Sequence, residues 1–388
     1  MGIEMDISTR QSECFAGDVV GGTVTVNVTA KDAGTSADAL VLRVVGLIKT
    51  RSITKSTGLY ATVSGAAAYT DHQVMSEDME FLGYDVHLAS FGGKMAAGEH
   101  SFPFSVVLPS ELPPSMKDQG GEGSCAIAYG FKARLSRSGM LNFDAKAKAQ
   151  LKVFSRPQET AVTLPVVVGP DTKVIKRCYC LKNGSMSVGF QVDRSALGLN
   201  ESLGLTVVAR NDSSASVKAM RIDIMQETTW YARGSKASNT RSIASAVVSG
   251  AELAAVEIGS KRGQSDAAVE DKAREDLRGQ LAAGAGTRHE ILVPGDASTT
   301  LQSENIEVRH LLSVRLETPS CVDSPDVWTP LRVQPHTVSM AAAAASLLAR
   351  PPADAAPVSD VPPVSVPQSA VNMVYSNELP PYSGPGNR

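Results

Sequence analysis

The sequence predicts an all-β protein, with two β-sandwich domains followed by a disordered, proline-rich tail. Three observations predict it. Apolar and polar residues alternate with a period of two along residues 1–335, the pattern of strands with one buried and one wet face. The segment 156–170 is extended and bounded by Pro157, Pro165 and Pro170, and it divides the alternating stretches into two sets. Nine of the 21 prolines fall in the last 38 residues, while none lies between Pro170 and Pro294, so the last segment is a different material from the rest.

The first set begins at Thr23–Thr29, where Val24, Val26 and Val28 share one face and Thr23, Thr25 and Asn27 the other. It continues with Cys125, Ile127, Tyr129, Phe131, Ala133 and Leu135. Ala147, Ala149, Leu151 and Val153 then alternate with Lys146, Lys148, Gln150 and Lys152. These define a first domain over 1–156, closed by a connection over 157–170. The second set defines a domain over 171–336: Met186–Val192, Leu203–Ala209, Met220–Ile224 and Ile306–Leu316, each with β-branched and aliphatic residues at alternate positions. One stretch, 234–288, breaks the rhythm with Ala, Gly, Ser and charge. Glu270–Arg278 has helix propensity but few apolar anchors, so this stretch is expected to be a mobile surface insertion. Residues 337–388 form the tail. Pro, Ser, Val and Ala dominate it and no periodic apolar face appears, which predicts disorder with local polyproline II character.

Composition narrows the function. Of 388 residues 43% are hydrophobic and 20% charged, so a sizeable core can form, and the net charge of −3 lacks the basic excess of a nucleic-acid-binding surface. Glu4, Asp6 and Arg10 interrupt any secretory h-region, and Asp6 stands where a myristoylation signal needs Ser or Thr. Five scattered cysteines fit reduced thiols, so a cytoplasmic protein is expected, and the sequons at Asn27, Asn183, Asn200 and Asn211 are expected to be unoccupied.

The searches for enzyme chemistry give little. Gly121–Ala126 fits G-x-G-x-x-A in letters only, because it precedes a strand and opens no helix. Cys178 and Cys180 would share a strand face, but no second Cys or His pair accompanies them to complete a zinc site. His310 sits on an apolar strand face and reads as a core histidine bonded to a neighbour. No cofactor, metal or catalytic residue is predicted, and the protein is read as a non-enzyme.

Two features carry interaction chemistry. Lys146, Lys148 and Lys152 point outward from one strand, and Lys132 and Arg134 from the preceding one, so pairing of the two strands makes a basic patch. A solvated sheet face is the plain reading. The sharper one is an anion site for acidic or phosphorylated client tails or for anionic lipid headgroups. In the tail, Leu379–Pro380–Pro381–Tyr382 fits the [Leu/Pro]-Pro-x-Tyr pattern read by WW domains. The prolines pre-set an extended helix that packs on an aromatic groove, and the tyrosine ring fills the next pocket.

Several phrases together resemble the α-arrestin (arrestin-domain-containing) family. They are Phe15–Val24, Gly98–Phe104 leading to Leu112–Ser115, and Ile127–Ala128–Tyr129 in the first half. In the second half they are Leu199–Ser202, Ala209–Ser213, Ile291–Pro294 and Ile306–His310, where the family more often ends in tyrosine. The resemblance spans about residues 3–335 and leaves 234–288 without a counterpart. It implies two arrestin-like, immunoglobulin-type β-sandwiches and an adaptor. The sandwiches would recognise cytoplasmic segments of membrane proteins, while the tail motif recruits a WW-domain HECT-type ubiquitin ligase for client ubiquitination and endocytic sorting. The resemblance equally admits a structural endosomal-sorting or coat subunit that needs no ligase and hence no Tyr382. Many relatives carry two Pro-Tyr motifs, whereas here only one is clear.

Overall fold

A computed structural model describes residues 3–31, 34, 36–62, 65–137, 144–156, 165–177, 181–213, 215–255, 267–318, 324–335, 362–366, 370 and 375–376. The elements in order are β1 (Ile3–Thr9), β2 (Glu13–Phe15), β3 (Val19–Val28), β4 (Ser36–Thr62), β5 (Gly65–Lys94), β6 (Gly98–Val107), β7 (Met116–Gly120), β8 (Gly123–Ser136) and β9 (Ala145–Phe154). Next come β10 (Val166–Arg177), β11 (Leu181–Val192), β12 (Ala196–Gly198), β13 (Ser202–Asn211), β14 (Ala219–Ala232), β15 (Ser235–Ser249), α1 (Gly250–Ala255) and α2 (Ala267–Ala282). β16 (Thr287–Leu292), β17 (Leu301–Ser303), β18 (Ile306–Glu317), β19 (Asp326–Gln334), β20 (Val364–Ser365) and β21 (Tyr375–Ser376) complete the chain.

Each half stacks two sheets. In the first, the sheet β1-β3-β6-β20 faces the sheet β2-β9-β8-β4-β5, with β7 beside β8. In the second, β10-β11-β13-β16 faces β12-β19-β18-β14-β15, with β17 beside β18. The alternation that predicts the strands is what builds the core: Val20, Val24 and Val26 of β3 meet Leu40, Leu42, Ile127, Phe131 and Leu135 from the opposite sheet, all essentially inaccessible to solvent. Val188, Phe190, Leu205, Ile222, Ile224, Leu312 and Val314 do the same in the second half.

The two halves repeat one opening device. A short strand pairs in parallel with the last long strand of its own sandwich, β2 with β9 and β12 with β19. A carboxylate in the turn behind it then accepts a hydrogen bond from a backbone amide three residues earlier: Asp18 from Phe15 (2.9 Å) and Glu201 from Gly198 (3.0 Å). An arginine holds each carboxylate, Arg156 at 2.9 Å and Arg194 at 3.1 Å. The phrases Phe15–Val24 and Leu199–Ser202, two of those that carry the family resemblance, hold these turns.

Three expectations change. The connection expected over 157–170 ends earlier, because Val166, Val167 and Val168 already pair with Val192, Gln191 and Phe190 as the start of β10. The stretch 234–288, expected to be a mobile insertion, holds a strand, two helices and part of a second strand. β15 runs the full length of β14 from a two-residue turn at Arg233–Gly234, both with positive φ as a type I′ hairpin turn requires. Ser249 and Glu252 then cap α1 reciprocally, each side chain accepting the other's backbone amide. The helix foreseen near Glu270–Arg278 is longer, Ala267–Ala282, and its two apolar anchors suffice: Leu277 and Leu281 are buried against Val208 of β13 on the outer face of the second sandwich. Gly189 makes room for it, since a Cβ there would lie 2.9 Å from Leu281 Cδ1. Third, the segment 337–388, expected to be disordered with local polyproline II character, holds two short paired strands among its described residues, β20 on the edge of β6 and β21 on β17.

The halves meet through the β14–β15 hairpin. Trp230, Ala237, Leu301, Ile306 and Val308 of the second sandwich belong to the apolar cluster of the first. Trp230 is fully buried and its indole N–H donates to the carbonyl of Arg51 on β4 at 2.9 Å. Beside it Asp118 of β7 is 5% exposed and accepts four donors: the Gln119 amide (2.7 Å), Asn239 Nδ2 (2.8 Å), Gln226 Nε2 (3.1 Å) and the Thr228 hydroxyl. Among the described residues no cation pairs with this carboxylate, so neutral dipoles satisfy it, and three of the four come from the other sandwich.

Candidate functional site

The pairing of β8 with β9 sets the basic face. Lys132 stands directly opposite Lys148, and Arg134 directly opposite Lys146. Lys146, Lys148 and Arg134 are exposed and Lys132 is half-buried. Like charges opposite each other on one sheet face repel and cost stability unless something neutralises them. Arg43 of β4 is placed next to Lys132 by register, but it is already forked between Asp85 (2.8 Å) and Glu80. Arg134 has Asp144 at 4.0 Å. Among the described residues no carboxylate lies within ion-pair distance of Lys132, Lys146 or Lys148. These cations line a groove of about 420 Å³ with Val41, Arg43 and Asp85 at its other side. Three ammonium groups with no ion-pair partner among the described residues and the Arg134 guanidinium line this one groove, a donor set that could hold an anion.

Lys152 does not join them. Its ammonium pairs with Glu13 at 3.0 Å and sits 4.7 Å from the centre of the Phe154 ring. The cause is the parallel β2–β9 pairing, which brings Glu13 opposite Lys152 from the far end of the domain. Four residues along a strand separate Lys152 from Lys148 by roughly 14 Å, and Lys152 lines a different groove of about 540 Å³ with Ser12, Lys117, Ala128 and Gln150. The predicted patch is therefore Lys132, Arg134, Lys146 and Lys148 without Lys152.

The other predicted residues resolve as follows. Leu379, Pro380, Pro381 and Tyr382 lie outside the described residues, as do Cys178 and Cys180. His310 is buried, with Nδ1 3.0 Å from the Thr300 hydroxyl, and desolvation, with Arg241 adding to it, pushes its pKa down to about 3. It is a neutral core histidine. Cys14 and Cys125 are buried free thiols pushed up to about 12, first by burial and then by Asp18 and Asp118 respectively, so neither is a nucleophile. Gly121–Glu122 is the two-residue turn of the β7–β8 hairpin. Among the described residues no cluster of three or more His, Cys, Asp or Glu is arranged to hold a metal, and no helix is long and apolar enough to cross a membrane.

Comparison with known proteins agrees with this architecture in both halves. Residues 2–158 match the family model described as the arrestin (or S-antigen) N-terminal domain, and residues 182–335 match the arrestin (or S-antigen) C-terminal domain. Among characterised proteins the chain is similar to arrestin domain-containing protein A of Dictyostelium discoideum, 25% identical over 221 residues, or 53% of this chain and 34% of that one. It is also similar to arrestin domain-containing protein 15 of Caenorhabditis elegans, 21% identical over 232 residues, or 59% of this chain and 56% of that one. The aligned regions thus span about a third to just over a half of these relatives. Tandem sandwiches with the same opening device, the order of the two matched domains and these likenesses place the chain in the α-arrestin, or arrestin-domain-containing, family.

Proposed function

We propose that this chain is a non-enzymatic trafficking adaptor that bridges membrane-protein clients to a WW-domain HECT-type ubiquitin ligase. The observation that carries the reading is one chain joining a two-sandwich arrestin body to a Pro-rich segment with Leu379–Pro380–Pro381–Tyr382. Family membership suggests the adaptor role, and the motif suggests whom it recruits. Polyproline II is extended before binding, so a short motif loses little entropy on entering an aromatic groove, and Tyr382 supplies the anchoring ring. A single motif of this size binds weakly, so firm recruitment relies on a second contact made by the client-bound complex. In a ligase capture from lysate, Tyr382→Ala should retain less than about a tenth of the wild-type signal. Equal capture by both proteins would instead favour the coat-subunit role, which has no use for the tyrosine.

The basic groove is the proposed client contact, taking an acidic or phosphorylated cytoplasmic segment. The acids flanking it, Asp85, Glu80 and Asp144, bound the positive area and favour a discrete anionic group over a broad membrane surface. The double change Lys146→Glu and Lys148→Glu should weaken phosphopeptide binding at least ten-fold, by roughly 1.5 kcal/mol or more. The same change converts two like-charge pairs into opposite-charge pairs, so stability to urea should hold or rise by about 0.5 kcal/mol. Unchanged phosphopeptide binding would return these lysines to a solvated sheet face. Loss confined to anionic vesicles would assign the groove to lipid.

A further inference from the structure

We infer that the anionic client segment proposed for the basic groove also carries a large apolar residue about four positions from its anionic group, and that this side chain enters a fork between β7 and β9; the fork rests on the client reading above. Both grooves open on one face of one sheet. Along β9, Lys146, Lys148, Gln150 and Lys152 alternate with inward residues, and along β8 Ala128, Gly130, Lys132 and Arg134 do the same. The basic groove takes Lys146 and Lys148 from β9, and the second groove, of about 540 Å³, takes Gln150 and Lys152. One begins where the other ends.

The second groove exists because the sheet splits there. β7 pairs with β8 only as far as Met116 opposite Ile127, and β9 pairs with β8 only from Leu151 opposite Tyr129. Ala128, between them, is paired with Leu47 of β4 alone. Beyond Leu151, β9 pairs with β2 and with Ser115, whose amide donates to the Val153 carbonyl at 2.7 Å and whose hydroxyl accepts the Val153 amide at 2.9 Å. The split exposes inward-facing Met116, Ile127, Tyr129 and Leu151 to the outer side, so the floor of the fork is apolar.

Charge and spacing fit both grooves to one extended, acidic segment. Lys152 is neutralised by Glu13 at 3.0 Å, whereas Lys117, exposed on β7 beside the fork, has no carboxylate within ion-pair distance among the described residues. Free cations thus stand at both ends of the path. Midway, Gly130 faces Gln150 across the two strands and leaves the surface low. An extended chain rises roughly 3.3 Å per residue and turns every second side chain to the same side. A residue four positions from the anion therefore faces the sheet about 13 Å away, the span from the middle of Lys146–Lys148 to the middle of Gln150–Lys152. A lipid offers the same pair of chemistries, but Glu13, Glu80, Asp85 and Asp144 beside the grooves oppose a broad anionic surface.

Fluorescence anisotropy on the full chain tests this with two eleven-residue phosphopeptides. Each has phosphoserine at position six and either leucine or serine at both positions two and ten, which covers either chain direction. The leucine peptide should bind wild type roughly five- to twenty-fold more tightly than the serine peptide. Ala128→Gln, a neutral and longer side chain at an exposed position, should fill the fork and cut that ratio below about two-fold, with the serine peptide unaffected. Lys146→Glu with Lys148→Glu should weaken both peptides at least about ten-fold. Equal affinity of the two peptides for wild type, or a leucine preference that Ala128→Gln leaves intact, would overturn the fork while the anion site stands. Failure of both peptides to bind wild type, or binding unmoved by the two charge changes, would overturn the anion site and the fork with it. Phosphatidylserine vesicles held by wild type and lost in Ala128→Gln, with no leucine preference among the peptides, would give the fork to a lipid chain instead.

Discussion

Replacing Trp230 with alanine should destabilise the protein by about 3–5 kcal/mol and split its unfolding into two steps, one per sandwich. The indole is the largest side chain with no solvent exposure, it comes from β14 of the second sandwich, and it packs in the apolar cluster of the first. Truncation would therefore leave a cavity at the junction and also remove the hydrogen bond that the indole N–H donates to the Arg51 carbonyl at 2.9 Å. Apart from the buried Asp118 cluster, the other polar links across the junction are smaller. Ser52 and Ser235 share a hydroxyl bond of 2.9 Å, and the backbone amides of Ser238 and Arg233 donate to Glu122 and Glu77. Partly exposed bonds of this kind compete with water and couple weakly. Urea unfolding followed by tryptophan-independent circular dichroism is the measurement. Ile222→Val in the second sandwich's own core serves as the control, costing about 0.5–1.5 kcal/mol without separating the transitions. A single cooperative transition in Trp230→Ala would show that the Asp118 cluster, not the indole, joins the halves.

What the sequence showed and hid follows from where side chains carry information. β3, β8, β9 and β18 were legible because one face of each is buried and the other wet, so alternation records the fold directly. The long β4–β5 hairpin was not. Beyond Ile53, residues such as Thr54, Lys55, Ser56, Asp71, His72 and Gln73 are exposed on both faces, and such a ribbon writes no apolar pattern. β15 was hidden for a related reason: its Ala- and Ser-rich sequence buries little beyond Ala237, and its position is fixed by backbone pairing with β14. Gly46, where register slips between β4 and β5, has Phe81 and Leu82 so close that a Cβ would lie under 3 Å from both, a constraint set by partners distant in sequence.

The candidate sites divide in the same way. The cationic pairs were legible since β8 and β9 are neighbours joined in sequence. The loss of Lys152 to Glu13 was not, because it arises from a parallel pairing across 139 residues. Asp118 gave no local sign of its role, as three of its four donors are Gln226, Thr228 and Asn239. The docking of β20 and β21 escaped notice because strand addition uses backbone groups, which every residue carries.

His310 should give the protein a steep acid limb that begins near neutrality. Its folded pKa is about 3, against about 6.5 in an unfolded chain, since burial and the charge of Arg241 on β15 both oppose the imidazolium. Between these values the unfolded chain binds a proton that the folded one excludes, so stability is whole above about pH 6.5 and falls as pH drops. The slope is about 1.4 kcal/mol per pH unit, or roughly 2–3 kcal/mol lost by pH 4.5. His289, lowered by partial burial, adds in the same sense. Asp326 acts oppositely: desolvation raises its folded pKa above 3.8, so its protonation favours the folded state as pH falls. Urea midpoints measured from pH 7.5 to 4.5 for wild type and His310→Gln test this. The variant should be less stable at neutral pH and lose markedly less on acidification, because glutamine has no proton to refuse. Parallel curves would mean that His310 takes up its proton in the folded protein, and the acid limb would then belong to other groups.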